Sequence, residues 1–167
     1  PVLLGKWQVG SLSRARFEPM AVYASALMRL RKGGISIKHK EPDSQARALK
    51  AVNAALNRKA KDLVILNVKE LSAFADYFII CSGTSDRQVR AIATSIQETL
   101  NAANILPLGI EGDVAGQWIL MDYDDVIIHI FLEPVRTFYD LERLWSEAPR
   151  MDVPDETVTL KALARGM

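Results

Sequence analysis

The segment from Tyr77 to Leu100 constrains the fold more than any other, because it passes from a strand into a helix across a three-residue turn. Tyr77-Phe78-Ile79-Ile80-Cys81-Ser82 is an apolar, aromatic and β-branched run of strand length, stopped by Gly83. Ser85, with Gln88 three positions on, forms an S-x-x-Q capping box, in which two side chains satisfy amides that a first helical turn leaves unpaired. Beyond it Val89, Ile92, Ile96 and Leu100 recur on one helical stripe, with Ala91 and Ala93 small enough for close packing. A strand feeding a capped amphipathic helix is the signature of an α/β domain.

Such a turn invites comparison with phosphate loops, since helix N-termini offer free amides and the positive end of a dipole. The glycine pattern argues against it. Phosphate loops and dinucleotide fingerprints need two or three glycines at set spacings, whereas Gly83 stands alone here and no lysine follows it. Plain helix capping accounts for Ser85 and Gln88 better.

Around this unit the remaining elements fall into place. Ala46, Leu49, Val52, Ala55 and Leu56 predict a helix that Asp43 or Ser44 caps. Asp62 to Val68 reads DLVILNV, a near-continuous apolar strand of the kind buried on both faces. Ile105 to Ile110 predicts a third strand, and its Pro107 suits an edge or a strand start. Residues 117 to 132 make the clearest hairpin: QWILMD, a turn at Tyr123-Asp124, and DVIIHIFL, with Asp124 able to take the left-handed conformation. Alternation sets Trp118, Leu120 and Asp122 on one side of the first arm and Ile119, Met121 and Tyr123 on the other. Glu133-Pro134 opens a last helix, with Phe138, Leu141, Leu144 and Trp145 on its packing face and Arg136, Tyr139 and Arg143 on a more polar stripe. The order predicts a mixed sheet of approximately five strands flanked by helices, antiparallel at the hairpin and parallel across the strand-helix-strand crossover.

A chain of 167 residues, 49% hydrophobic and 25% charged, has enough apolar material for one core without staples. Charge divides it. Residues 1–42 carry eight Lys or Arg against Glu18 and Glu41, whereas the remainder has thirteen bases and eighteen acids, a net charge of −5. This gives a basic leader or arm at 1–42, an α/β domain at 43–149 and a tail at 150–167. The arm resembles an organelle transit peptide, and a misassigned start predicts the same composition. An acidic body is a poor ligand for a polyanion, since nucleic-acid affinity rests on Lys and Arg at phosphates; a basic protein suits it better. No apolar run approaches the ~20 residues that span a bilayer.

Chemistry is harder to find. Cys81 is the only cysteine and His39 and His129 the only histidines, which leaves no zinc or iron–sulfur ligand set and favours a reducing compartment. Cys81 sits within an apolar strand and reads as a buried, inert thiol. His129 shares a face with Ile127 and Phe131 and reads as a hydrogen-bonded packing residue. Asp122, Asp124 and Asp125 surround a tight turn, where aspartate is common for backbone reasons, instead of lining a strand beside the glycine turn as two-metal transfer would need. No Ser, His and carboxylate set emerges, so no catalytic residue, metal or cofactor is expected. Trp118 and Tyr123, aromatics beside an acidic turn, fit interface anchors as well as core; Trp145 fits core.

DLVILNV, Ser72, ADYFIICSGTSDRQV, LPLGIEG, QWILMDYDDVIIHIF and RTFYDLERLW, in this order over residues 45–147, resemble the Iojap family of ribosomal silencing factors. The resemblance implies a nucleotidyltransferase-like fold without that activity. It implies binding to the large ribosomal subunit at ribosomal protein fourteen, a block to small-subunit joining in starvation or stationary phase, and homodimers when free. Some members instead assist large-subunit assembly in mitochondria or plastids. The expected location is cytoplasmic, or one of those organelles if residues 1–42 are a transit peptide. By position, the resemblance puts Trp118, Asp122, Tyr123 and Asp125 on the protein-binding surface, with Arg136 and Tyr139 as further matched positions. Asn67, Ala75 and Asp124 depart from the family pattern, where Asp, Thr and a turn glycine are usual. Asp124 therefore adds a charge inside the expected interface.

Overall fold

The computed structural model describes residues 43–112 and 115–154. Its elements are α1 (Ser44–Leu56), β1 (Lys61–Asn67), β2 (Tyr77–Gly83), α2 (Asp86–Ala102), β3 (Gly109–Gly112), β4 (Trp118–Asp122), β5 (Val126–Leu132), α3 (Glu133–Tyr139), α4 (Leu141–Leu144) and β6 (Arg150–Met151). The strands form one six-stranded mixed sheet in the order β3-β4-β5-β2-β1-β6, so the expected α/β class holds with one strand more than anticipated. That strand is β6, which pairs antiparallel with β1 through Ile65↔Met151 and Leu66↔Arg150, placing the first residues of the expected tail inside the sheet. The basic arm at 1–42 lies outside the described residues.

The crossover is parallel in sense but skips two strands. β2 pairs in parallel with β5, β5 antiparallel with β4, and β4 antiparallel with β3, so the hairpin fills the gap between β2 and β3. At its tip Tyr123 N–H donates to Val126 O at 3.0 Å, and Asp124 takes the left-handed conformation with φ 72°. The central strands β2 and β5 are buried almost throughout, whereas β1 is fully covered only at Ile65 and Leu66, the two residues that the two-residue β6 pairs with. The third strand begins at Gly109, two residues after Pro107, which has no N–H to give to a ladder.

Each face of the sheet carries its own core. On one side α1 and α2 cover Ile65, Ile79, Cys81, Met121, Ile128 and Ile130. On the other, Phe78, Ile80, Trp118, Leu120, Ile127 and Phe131 pack with Leu141 and Trp145. The α2 stripe is the expected one. That of α1 is rotated: Ala48, Ala51, Val52, Ala54 and Ala55 are buried, while Ala46, Leu49 and Leu56 are only half-buried. Alanines let α1 approach α2 closely enough for Ser95 Oγ to donate to Ala54 O at 3.0 Å, and that contact outweighs the larger leucines.

The last helix also departs from expectation. Asp140, with φ 45°, breaks it into α3 and α4, so one helical period does not run through residues 133–145. Phe138 is consequently 53% exposed and Arg136 is buried, the reverse of the expected faces.

Candidate functional site

Gly83, which ends β2, is required by packing. A Cβ there would meet Val89 Cγ2 at 2.9 Å and Val89 N at 3.0 Å, so any side chain would push α2 off its strand. Ser85 Oγ accepts from Gln88 N–H at 3.1 Å, but the Gln88 carboxamide reaches one residue further back than a capping box would, accepting from Thr84 N–H at 2.8 Å. Its amide nitrogen donates to Arg58 O and Lys59 O, tying the end of α1 to the start of α2. The polar groups at this turn are thus engaged in holding two helices together.

Cys81 is buried and unpaired, and burial pushes its thiol up to about 12, so it stays protonated. Burial also pulls His129 down to about 3, which leaves a neutral ring whose Nδ1 accepts from Trp118 Nε1 at 3.2 Å. That fits the packing role expected of His129. Among the described residues no group of three or more His, Cys, Asp or Glu is placed to hold a metal ion.

The six site residues predicted from the sequence do not share one surface. Trp118 is 4% exposed, packed against Phe131 at 4.7 Å and Tyr139 at 5.0 Å between ring centroids. Tyr123 is buried in the opposite core, burial pushes its phenol up to about 12, and its hydroxyl has no hydrogen-bond partner. Arg136 is buried: its Nε and Nη2 donate to Glu142 at 3.1 and 2.9 Å, and Nη1 donates to Ser82 Oγ at 2.9 Å. These three side chains are interior as folded. Alternation along β4 gave the sides of Trp118 and Tyr123 but not whether each side was covered.

The hairpin turn keeps its acidic character. Asp122 is buried and accepts from Asp124 N–H at 2.9 Å; burial raises its carboxyl to about 6. Asp125 pairs with Arg47, and burial nevertheless moves its carboxyl upward. Arg47 also donates to Tyr123 O at 3.1 Å, so α1 clamps the turn. Asp124 stays exposed at the tip.

Two features were not anticipated. Leu106 and Leu108 are 71% and 65% exposed, and Ile110 follows them on β3, an edge of the sheet. Leu108 N–H donates to Asp122 O at 2.7 Å, so this apolar ridge runs directly beside the acidic turn. Its sequence signal was weak, because Leu106 and Leu108 flank Pro107 in a segment with no period. Arg47 is the other one, a charged residue outside the apolar stripe that predicts α1.

Comparison with known proteins gives this geometry a context. Residues 41–165 match the family model described as "Ribosomal silencing factor during starvation", a span reaching beyond the motifs at both ends. The ribosomal silencing factor of Halalkalibacterium halodurans is 40% identical over 103 residues, 62% of this chain and 88% of that protein. A mouse protein named for mitochondrial assembly of the ribosomal large subunit is 31% identical over 98 residues, 57% of this chain and 43% of that one. A crystal structure of a Chromobacterium violaceum protein superposes with a TM-score of 0.62 at 36% identity, covering 63% of this chain and 88% of that one.

Proposed function

The chain belongs to the family of ribosomal silencing factors, and on that premise we propose that it binds the large ribosomal subunit and sterically blocks subunit joining. The partner in this reading is a basic ribosomal protein, number fourteen, and the effect is repression of translation in starvation or stationary phase. No bond is made or broken, so the protein acts as a binding factor and not as an enzyme. Repression needs only that the bound body occupy space the small subunit requires.

The observation that carries the docking site is the exposed ridge Leu106, Leu108 and Ile110 beside the acidic tip at Asp124. Apolar contact area framed by carboxylates complements a basic protein with an apolar patch, and the net charge of −5 over residues 43–167 favours the encounter. Asp122 and Asp125 support the ridge by fixing the turn beside it. The free chain pairs as a homodimer in this reading, and the protein works in the cytoplasm, or in an organelle if residues 1–42 direct it there.

Trp118→Ala is a poor probe, because deleting a buried tryptophan costs about 3–5 kcal/mol of stability and confounds folding with binding. Leu106→Glu with Leu108→Glu is cleaner, since both side chains are exposed. Pelleting with purified large subunits is expected to show at least about tenfold weaker binding for the double variant at unchanged melting temperature. Unchanged binding would move the docking site elsewhere. Light scattering from mixed subunits then tests silencing: wild-type protein should prevent joining.

The mouse relative's name supports a second reading, assistance to large-subunit assembly. Preferential binding to immature large subunits, without a block to joining of mature ones, would favour it.

A further inference from the structure

The net charge of −5 over residues 43–167 averages two unlike ends of the sheet. β2 runs from Tyr77, whose N–H donates to Asp125 O at the acidic hairpin turn, to Gly83, about 20 Å further on for a strand of this length. At the Gly83 end the chain leaves α1 through Arg58 and Lys59, and Arg87 stands in the first turn of α2; all three are exposed. The Gln88 side-chain amide holds these two segments together, donating to Arg58 O at 3.2 Å and to Lys59 O at 3.0 Å.

These cations have no internal use. Among the described residues no carboxylate forms an ion pair with Arg58, Lys59 or Arg87. Asp86 beside them is taken by Arg90 at 2.8 Å, so the junction of α1 and α2 carries four cations against one acid. Asp62, Glu133 and Asp140 lie at the same end of the sheet but line a cavity beside α3, with Ser82 and Arg136. The positive end of the α2 dipole adds to the field at the junction. A cluster of exposed, unpaired like charges attracts a polyanion and releases the counterions held on it.

We propose that this junction contacts the phosphate backbone of ribosomal RNA, with Arg58, Lys59 and Arg87 each meeting a phosphate. The choice of RNA over an acidic protein rests on the large-subunit reading above. It gives the molecule two contacts of opposite sign: the ridge and acidic turn face a basic protein, and the opposite end of the sheet faces RNA. The contact is independent of sequence, because phosphates position a protein without identifying bases.

Fluorescence anisotropy of the full chain with a short RNA duplex, across a series of potassium chloride concentrations, tests this without the ribosome. Residues 1–42 carry eight bases of their own, so the readout is the difference between the parent and the triple variant Arg58→Gln, Lys59→Gln, Arg87→Gln. The variant is expected to bind about tenfold more weakly at unchanged melting temperature, and the slope of log affinity against log salt to fall by about two to three. In nuclear magnetic resonance spectra the RNA should shift backbone amides at residues 58–59 and 84–88. Leu106→Glu with Leu108→Glu should leave RNA binding intact, so failure of the docking ridge and failure of this contact read out separately. The proposal is overturned if the triple variant keeps the parent's affinity and slope, if RNA shifts none of those amides, or if polyglutamate of equal charge binds as tightly as the duplex.

Discussion

The two faces of the sheet are built on different principles. The face under α1 and α2 is mainly aliphatic, filled by Ile, Val, Ala and Leu whose only requirement is close packing. The face under α3 and α4 is aromatic and partly polar: Phe78, Trp118 and Phe131 surround His129, Trp145 packs on Phe78, and the Arg136–Glu142 pair ties α3 and α4 to Ser82 on β2. Aliphatic layers tolerate small rearrangements, because their contacts carry no direction. The aromatic layer is held by directional bonds, such as the one from Trp118 to His129, and a shift that breaks one leaves a buried polar atom unpaired.

Three substitutions probe this contrast. Ile128→Ala, at the centre of the aliphatic layer, is expected to cost about 3–4 kcal/mol in urea denaturation; a loss under about 1 kcal/mol would mean that layer is loosely packed. Arg136→Met keeps the bulk of the side chain but strips Glu142 of two hydrogen bonds, and should cost about 3 kcal/mol, reduced because the Glu142 side chain is 22% exposed. Adding Glu142→Leu should recover most of that loss, and a double-mutant cycle without coupling would remove the directional account of this layer.

Asp122 gives the smallest effect and the most specific one. Its folded carboxyl is raised to about 6 from an unfolded value near 3.8, so the folded state holds the extra proton between these values. The carboxyl thus favours folding at low pH, and that contribution disappears as pH rises through about 6. Asp122→Asn resembles the protonated form and can still accept from Asp124 N–H. It should stabilise the protein by about 2 kcal/mol at pH 8 and hardly at all at pH 4, measured by thermal melts across that range. Equal effects at both ends would mean the carboxylate is better solvated than its burial implies.

The same contrast explains which parts of the structure could be read from the chain. The stripe of α2, the alternation along β4 and the left-handed Asp124 follow local rules, and each was legible. Local rules failed where a distant contact decided the outcome. Arg136 lies on the polar side of any regular helix, and only the break at Asp140 and the presence of Ser82 on β2 turn it inward. Trp118 fits core and surface equally in the sequence, because coverage by Tyr139 depends on where α3 docks. Leu106 and Leu108 carry no period, so their exposure beside the acidic turn had no counterpart in sequence pattern. Of the hairpin residues that the family resemblance singles out, Trp118, Asp122 and Tyr123 are buried and Asp125 is partly exposed, whereas Asp124 faces outward.

The position of β5 has a consequence for how the molecule assembles. Without it β1 and β2 form one antiparallel unit and β3 and β4 another, with no ladder between them. Among the described residues β5, which pairs with both β2 and β4, is the only strand that joins the two ladders. The two ladders therefore cannot be joined until Leu132 has been synthesised, and closure by this one late strand, a contact of long sequence separation, is expected to be the slow step of folding.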